Sequence, residues 1–141
     1  MYQKLFLALL GSSSAHADAS RRVFSDLGLS EGQPKILYIL RQTGGLMQKI
    51  LAKQCGIKES TLTVALSKME ASGLIRRERA VTEKGKASYR VFLTEKGSEM
   101  AIRLETEIER LEACGLRGFS KEEQSVLLAM LSRVTQNLKS D

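Results

Sequence analysis

Apolar and polar positions alternate with helical period along most of this chain, and the clearest case lies near its middle. From Leu46 to Ile75 the sequence reads LMQKILAKQCGIKESTLTVALSKMEASGLI. In its first part Ile50, Leu51 and Cys55 fall at helical spacing, with Lys49, Lys53 and Gln54 on other faces. Gly56, free to take positive φ, stops that helix. After Lys58 a second helix carries one apolar stripe, Leu62, Ala65, Leu66 and Met69, at i, i+3, i+4 and i+7, and Gly73 ends it. Two short helices joined by a glycine-containing turn predict a helix-turn-helix. The opposite face of the second helix holds Ser60, Thr61, Thr63, Val64, Ser67 and Lys68. Hydroxyls and a lysine there suit base edges and phosphates in a major groove. The same pattern is also that of a half-buried helix with an ordinary polar surface.

The flanks extend this plan. A helix is predicted from about Tyr2 to Leu27, anchored by Leu5, Leu9, Val23, Phe24 and Leu27, with small residues from Gly11 to Ala15 that let another helix approach closely. The run Leu5–Leu10 followed by Ala15-His16-Ala17 mimics a signal peptide, but it is at the short end for one, and a mature helix is the preferred reading. Ser30 with Gln33 three residues on predicts a capping box for the next helix. Pro34 sits in its first turn, Ile36, Leu37, Ile39 and Leu40 face inward, and Gly44-Gly45 end it. The following helix start, Leu46-Met47-Gln48, has no obvious capping side chain.

Beyond the helix-turn-helix, Leu74–Val81 and Tyr89–Leu93 are strand-like and the segment between them is turn-rich, predicting a β-hairpin. Thr94 caps a long helix to about Leu116, with Met100, Leu104, Ile108 and Leu111 at near-heptad spacing. Residues 119–123, FSKEE, open a last helix with apolar Leu127, Met130, Leu131, Val134 and Leu138. The expected fold is therefore mainly α with a small β-hairpin wing. Residues 30–93 form a winged helix-turn-helix, and residues 1–29 and 94–141 form a helical dimerisation region.

Charge sharpens the picture. The 141-residue chain carries a formal +6, all of it in the middle third. Residues 46–90 hold ten basic and four acidic residues, whereas residues 91–141 are net negative. Within residues 74–90, Arg76, Arg77, Arg79, Lys84, Lys86 and Arg90 stand against Glu78 and Glu83. A basic hairpin directly after a helix-turn-helix points to double-stranded DNA, its tip along phosphates or in the minor groove. An edge hairpin whose lysines guard against aggregation has the same composition. Expected DNA contacts are Ser60, Thr61, Thr63, Val64, Ser67, Lys68, Arg76, Arg77, Lys84 and Lys86. Long terminal helices need something to bury against, which predicts a homodimer reading a pseudo-palindromic operator; an intramolecular helical bundle in a monomer is the alternative.

Other chemistries find little support. His16 is the only histidine, and Cys55 and Cys114 have no neighbour at metal-ligand spacing. No phosphate loop or nucleophile elbow is present, so neither an enzyme nor a cofactor is expected. No run is long enough for a membrane span, and two unpaired cysteines point to the reducing cytoplasm. A winged-helix module that binds protein rather than DNA remains the alternative.

The segments ILAKQCGIKESTLT, KMEASGLIRR and VFLTEKG resemble the MarR family of bacterial transcriptional regulators, and the likeness covers nearly all of the chain in order. The resemblance implies an obligate dimer, a winged helix-turn-helix in each copy, and repression relieved by a small aromatic or anionic effector. The family's recognition-helix run Ser-Thr-hydrophobic-Thr-Arg is matched by Ser60, Thr61, Leu62 and Thr63, but Val64 takes the arginine position. The wing's usual Asp-x-Arg falls at Gly85 and Ala87, leaving Lys84 and Lys86 for phosphate contacts. The peroxide-sensing branch has a cysteine where this chain has Phe6, so that mechanism is not expected here.

Overall fold

The computed structural model describes residues 3–140 and divides into two compact units, one up to Ile108 and one from Glu109 onward. The elements run α1 (Leu5–Asp26), α2 (Gln33–Thr43), β1 (Gly45–Met47), α3 (Gln48–Cys55), α4 (Glu59–Ala71), β2 (Ile75–Val81), β3 (Ala87–Leu93), α5 (Glu95–Gly115) and α6 (Lys121–Lys139). The fold is mainly α with a small antiparallel sheet, as the periodicity predicts.

The core of the first unit is built where the apolar stripes converge. Ile36, Leu37 and Leu40 of α2, Leu51 and Cys55 of α3, and Leu62, Leu66 and Met69 of α4 are all essentially inaccessible to water. Ile75 and Val91 of the sheet and Ala101 and Leu104 of α5 close the cluster. Ile50 departs from its predicted inward position. In an eight-residue helix, Leu51, Ala52 and Cys55 occupy the buried face, and Ile50 is left exposed. The thiol of Cys55 lies in this apolar core.

Helix ends follow local chemistry, with two corrections. Ser30 does not cap α2. Its backbone N–H donates to Gln33 Oε1, half of the predicted box, while Gly32 takes the N-cap at φ +89°. The chain turns through Glu31-Gly32 before helix geometry begins, which puts Ser30 too early to cap. Helix α1 begins at Leu5 after Lys4, and the predicted start at Tyr2 lies outside the described residues. In its C-terminal half Phe24 packs against the core and Val23 is half-buried, while Leu5, Phe6, Leu7 and Leu10 are exposed. Between α3 and α4, Gly56 at φ +70° makes the sharp turn. Ser120 and Glu123 form the predicted capping box of α6.

The sheet has three strands, in the order β1-β3-β2, not two. Gly45, Leu46 and Met47, read from sequence as a helix end and a helix start, instead pair with Phe92, Val91 and Arg90. Gly45 has room for no side chain, because an added Cβ would lie 2.4 Å from the Phe92 ring. Strand β3 also begins two residues before the predicted Tyr89, pairing Ala87 with Val81. Among the described residues, no helix is long and apolar enough to cross a membrane.

Candidate nucleic-acid interface

Helix α4 buries Leu62, Leu66 and Met69. A 100° advance per residue then places Ser60, Val64 and Ser67 along the crest directly opposite. Thr61 and Lys68 flank the crest on one side, and Thr63 flanks it on the other. All six side chains are exposed, Val64 at 59%. Their hydroxyls are not equivalent. Thr63 Oγ1 donates to the Glu59 carbonyl and accepts from Gln48 Nε2 at 2.9 Å, so it braces the first residue of α3 against α4. Ser67 donates to the Thr63 carbonyl within the helix. Ser60 and Thr61, in the first turn of the helix, have hydroxyls with no such engagement among the described residues, and the start of a helix presents free N–H groups and partial positive charge.

The wing supplies the second surface. Its five-residue tip is closed by the Thr82 N–H donating to the Lys86 carbonyl at 2.8 Å and by the Lys86 N–H donating to Thr82 Oγ1. Lys84 and Lys86 project there, both exposed. The wing arginines behave differently. Arg76 lies over the Phe92 ring, 4.5 Å from its centroid, and pairs with Glu78. Arg77, only 18% exposed, makes two hydrogen bonds to the Glu70 carboxylate at 3.0 and 3.4 Å and lies over Tyr89. Arg77 hydrogen bonding holds the Glu70 carboxyl below its usual pKa. Arg77 thus joins the wing to the last turns of α4 rather than standing free at the surface.

A third set of contacts ties α4 to α5. The Thr94 hydroxyl donates to the Gly73 carbonyl and accepts from the Gly97 N–H, serving as the predicted helix cap. Lys96 Nζ donates to the Ser72 carbonyl at 2.7 Å, placing a cation on the C-terminal end of α4. Gly97 lies so close to the chain that an added Cβ would be 1.9 Å from the Leu74 oxygen. The start of α5 is therefore locked onto the exit of α4. Gln48, Glu70, Lys96 and Gly97 were not singled out from sequence. LTEKG marks the last two as a motif without revealing what they touch, and the other two act only through partners distant in sequence.

Beside this face, a cleft of about 590 Å³ separates the C-terminal half of α1 from the start of α2. Phe24, Leu29, Pro34 and Ile57 give it apolar walls, and Arg21, Lys35 and Glu31 give it charge of both signs, Arg21 being paired with Asp18 at 3.2 Å. Ser20 also lines it, and its buried hydroxyl has no hydrogen-bond partner. Lys35 Nζ donates to the Cys55 carbonyl at 2.9 Å, at the start of the helix-turn-helix turn. Burial pushes the Cys55 thiol up from its ordinary pKa, against the opposing charge of Lys35. Cys114 is exposed, and among the described residues no cluster of His, Cys, Asp and Glu could hold a metal ion.

Comparison with known proteins agrees with this geometry. Residues 29–84 match the MarR family model. The chain is 32% identical over 118 residues to the uncharacterized HTH-type transcriptional regulator YybA of Bacillus subtilis (strain 168), covering 84% of this chain and 77% of that protein. A MarR family transcriptional regulator from Silicibacter pomeroyi is similar in structure, with TM-score 0.74, 30% identity, and 89% and 83% of the two chains covered. A MarR family regulator from Listeria monocytogenes, solved in complex with a 26mer DNA, superimposes with TM-score 0.85 at 26% identity over 99% of this chain and 92% of its own. With this fold, these motifs and these relatives, the chain belongs to the MarR family of transcriptional regulators, which bind DNA and are not enzymes.

Proposed function

We propose that the protein is a homodimeric, sequence-specific repressor that acts in the cytoplasm on a pseudo-palindromic operator and is released by a small aromatic or anionic effector. The observation that carries this reading is the exposed crest of α4 beside a lysine-tipped wing, both held in place by buried or bidentate contacts. Ser60, Thr61, Val64, Ser67 and Lys68 would meet the major groove, and Lys84 and Lys86 the flanking phosphates. Arg76 and Arg77 would act chiefly by holding the wing, since both already have carboxylate partners. That the Listeria relative was solved with a 26mer DNA supports DNA as the partner. A homodimer is supported by α1, with Leu5, Phe6, Leu7 and Leu10 exposed, and separately by α6, none of whose apolar residues is buried. Apolar helix faces of this extent are ordinarily covered by a partner.

The test is titration of the purified protein against its own upstream DNA and a scrambled duplex at two salt concentrations. Preferential, salt-sensitive binding to the upstream DNA is expected. Binding that survives charge reversal at Lys84 and Lys86 would overturn the role of the wing. Absence of binding at low salt would favour a protein-binding module instead.

The effector reading rests on the cleft beside α1, which combines apolar walls, the Lys35 ammonium and an orphaned hydroxyl, a combination suited to an aromatic carboxylate, with Glu31 also on its lining and Arg21 already paired with Asp18. Occupancy there would bear on Lys35 and Ile57, and through them on the helix-turn-helix turn. Benzoate, the simplest such compound, should raise the melting temperature of the wild type but not of Lys35→Met. No shift at saturating benzoate, or an equal shift in both proteins, would count against the cleft.

A further inference from the structure

The crest of α4 contains one large aliphatic side chain among polar neighbours. Val64 stands one turn from both Ser60 and Lys68, with Ser67 three residues on, and is 59% exposed. It adds nothing to the core cluster, which α4 serves through Leu62, Leu66 and Met69 with Ala65 packed against it. A β-branched residue at an exposed helix position gains nothing in helix propensity either. Its isopropyl group can neither donate nor accept a hydrogen bond, so it can read no base through the donor and acceptor pattern. Only one feature of the major groove matches it, the C5-methyl group of thymine.

Resting on the DNA-binding reading above, we propose that Val64 is a specificity-determining residue that packs against a thymine methyl in each half-site. The neighbouring groups supply the rest of the recognition. Lys68 lies one turn further along the helix, beside the crest, where its ammonium can reach phosphate. The hydroxyls of Ser60 and Thr61 are available for base edges or backbone at the helix start. Thr63, held between Gln48 and the Glu59 carbonyl, fixes the rotation of the helix that aims Val64 outward. Guanine offers no apolar group at this edge, and cytosine offers only an unmethylated ring carbon, so the preference is for T over both. The methyl contact is worth about the burial of one methylene, which is roughly a fourfold difference in affinity per half-site.

The experiment uses the full-length protein and a duplex recovered from a randomised pool by binding to it. Each thymine is replaced in turn by deoxyuridine, which removes the methyl group and leaves the Watson–Crick edge unchanged. For the wild type, one such replacement per half-site is expected to weaken binding about fourfold, the rest having little effect. Val64→Ala loses the contact in both half-sites of the dimer, so it should bind the parent duplex about as weakly as the wild type binds a duplex with both of those thymines replaced, roughly sixteenfold below the parent, and the same replacements should then change nothing, closing a double-mutant cycle. Because Val64 is exposed, its truncation leaves the core intact, and circular dichroism of the variant provides the check. If every uracil duplex binds like its thymine parent, or if the uracil effect persists in Val64→Ala, the assignment is overturned while DNA binding stands. If no duplex is retained at all, the DNA-binding reading falls, and the assignment falls with it.

Discussion

At the scale of single residues, the same residue type takes different roles according to its partners. Arg76 and Arg77 are adjacent in sequence, yet only Arg77 ties the wing to α4, through the bidentate contact to Glu70, while Arg76 stays within the wing over Phe92. That contact has a pH signature. The Glu70 carboxyl titrates below its ordinary value because Arg77 hydrogen-bonds to its charged form. Its stabilising contribution is therefore complete above the ordinary carboxylate pKa and is lost as pH falls through the depressed one. Glu70→Gln should lower stability at neutral pH by about 0.5 kcal/mol, the scale of an ion pair whose carboxylate still meets solvent. The difference from wild type should vanish in acid, as followed by thermal melts across pH. A difference independent of pH would mean that shape rather than charge holds the wing. The two cysteines diverge in the same way. Cys55 lies in the core with its thiol pKa raised, and Cys114 is exposed. Titration with a chromogenic disulfide should detect one thiol in the native protein and two after denaturation. Two native thiols would place Cys55 in a breathing region.

Among the elements, the tie between α4 and α5 is the most sensitive joint. Leu74 O leaves no space for a side chain on Gly97. Gly97→Ala must push the start of α5 off the exit of α4, with loss of the Thr94 and Lys96 contacts as well. The cost should be about 3 kcal/mol, at the upper end for overpacking, seen as a lower urea midpoint at unchanged slope. A near-neutral result would show that the joint can slide. Which elements were legible in the sequence follows from this kind of contact. Helix α4 was readable because four apolar residues repeat along thirteen, and the Ser120–Glu123 box because both partners lie within one turn. Strand β1 was not, since three residues carry no period and its pairing with Phe92, Val91 and Arg90 spans more than forty residues of sequence. Ser30 misled because its spacing to Gln33 is that of a capping box, whereas the chain needed a turn at Gly32 first. The polar crest of α4 was readable as a face. That Thr63 braces Gln48, and that Arg77 holds Glu70, depends on where separate elements meet.

For the molecule as a whole, segregated charge makes a quantitative demand on DNA binding. The middle third carries all of the net positive charge, and the last third is acidic. Phosphate contacts should therefore concentrate on α4 and the wing and be absent from the C-terminal helices. Each phosphate neutralised on duplex DNA contributes about 0.9 to the slope of log affinity against log salt. Lys84 and Lys86 sit at the wing tip without acidic partners among the described residues. In a two-fold dimer each lysine occurs twice on one operator, so Lys84→Ala should reduce the slope by about 2. The same change in a protein that binds as a single copy would reduce it by about 1. Arg77→Ala should lower affinity by loosening the wing while moving the slope much less, because its charge is already held by Glu70. Fluorescence titrations of the wild type, Lys84→Ala, Lys86→Ala and Arg77→Ala over a salt series measure all of these slopes together. A drop near 2 for either lysine with little change for Arg77→Ala would establish both the paired geometry and the division of labour between wing tip and wing base. A slope unaffected by both lysines would mean that the wing stands away from the phosphates, leaving affinity to α4 alone.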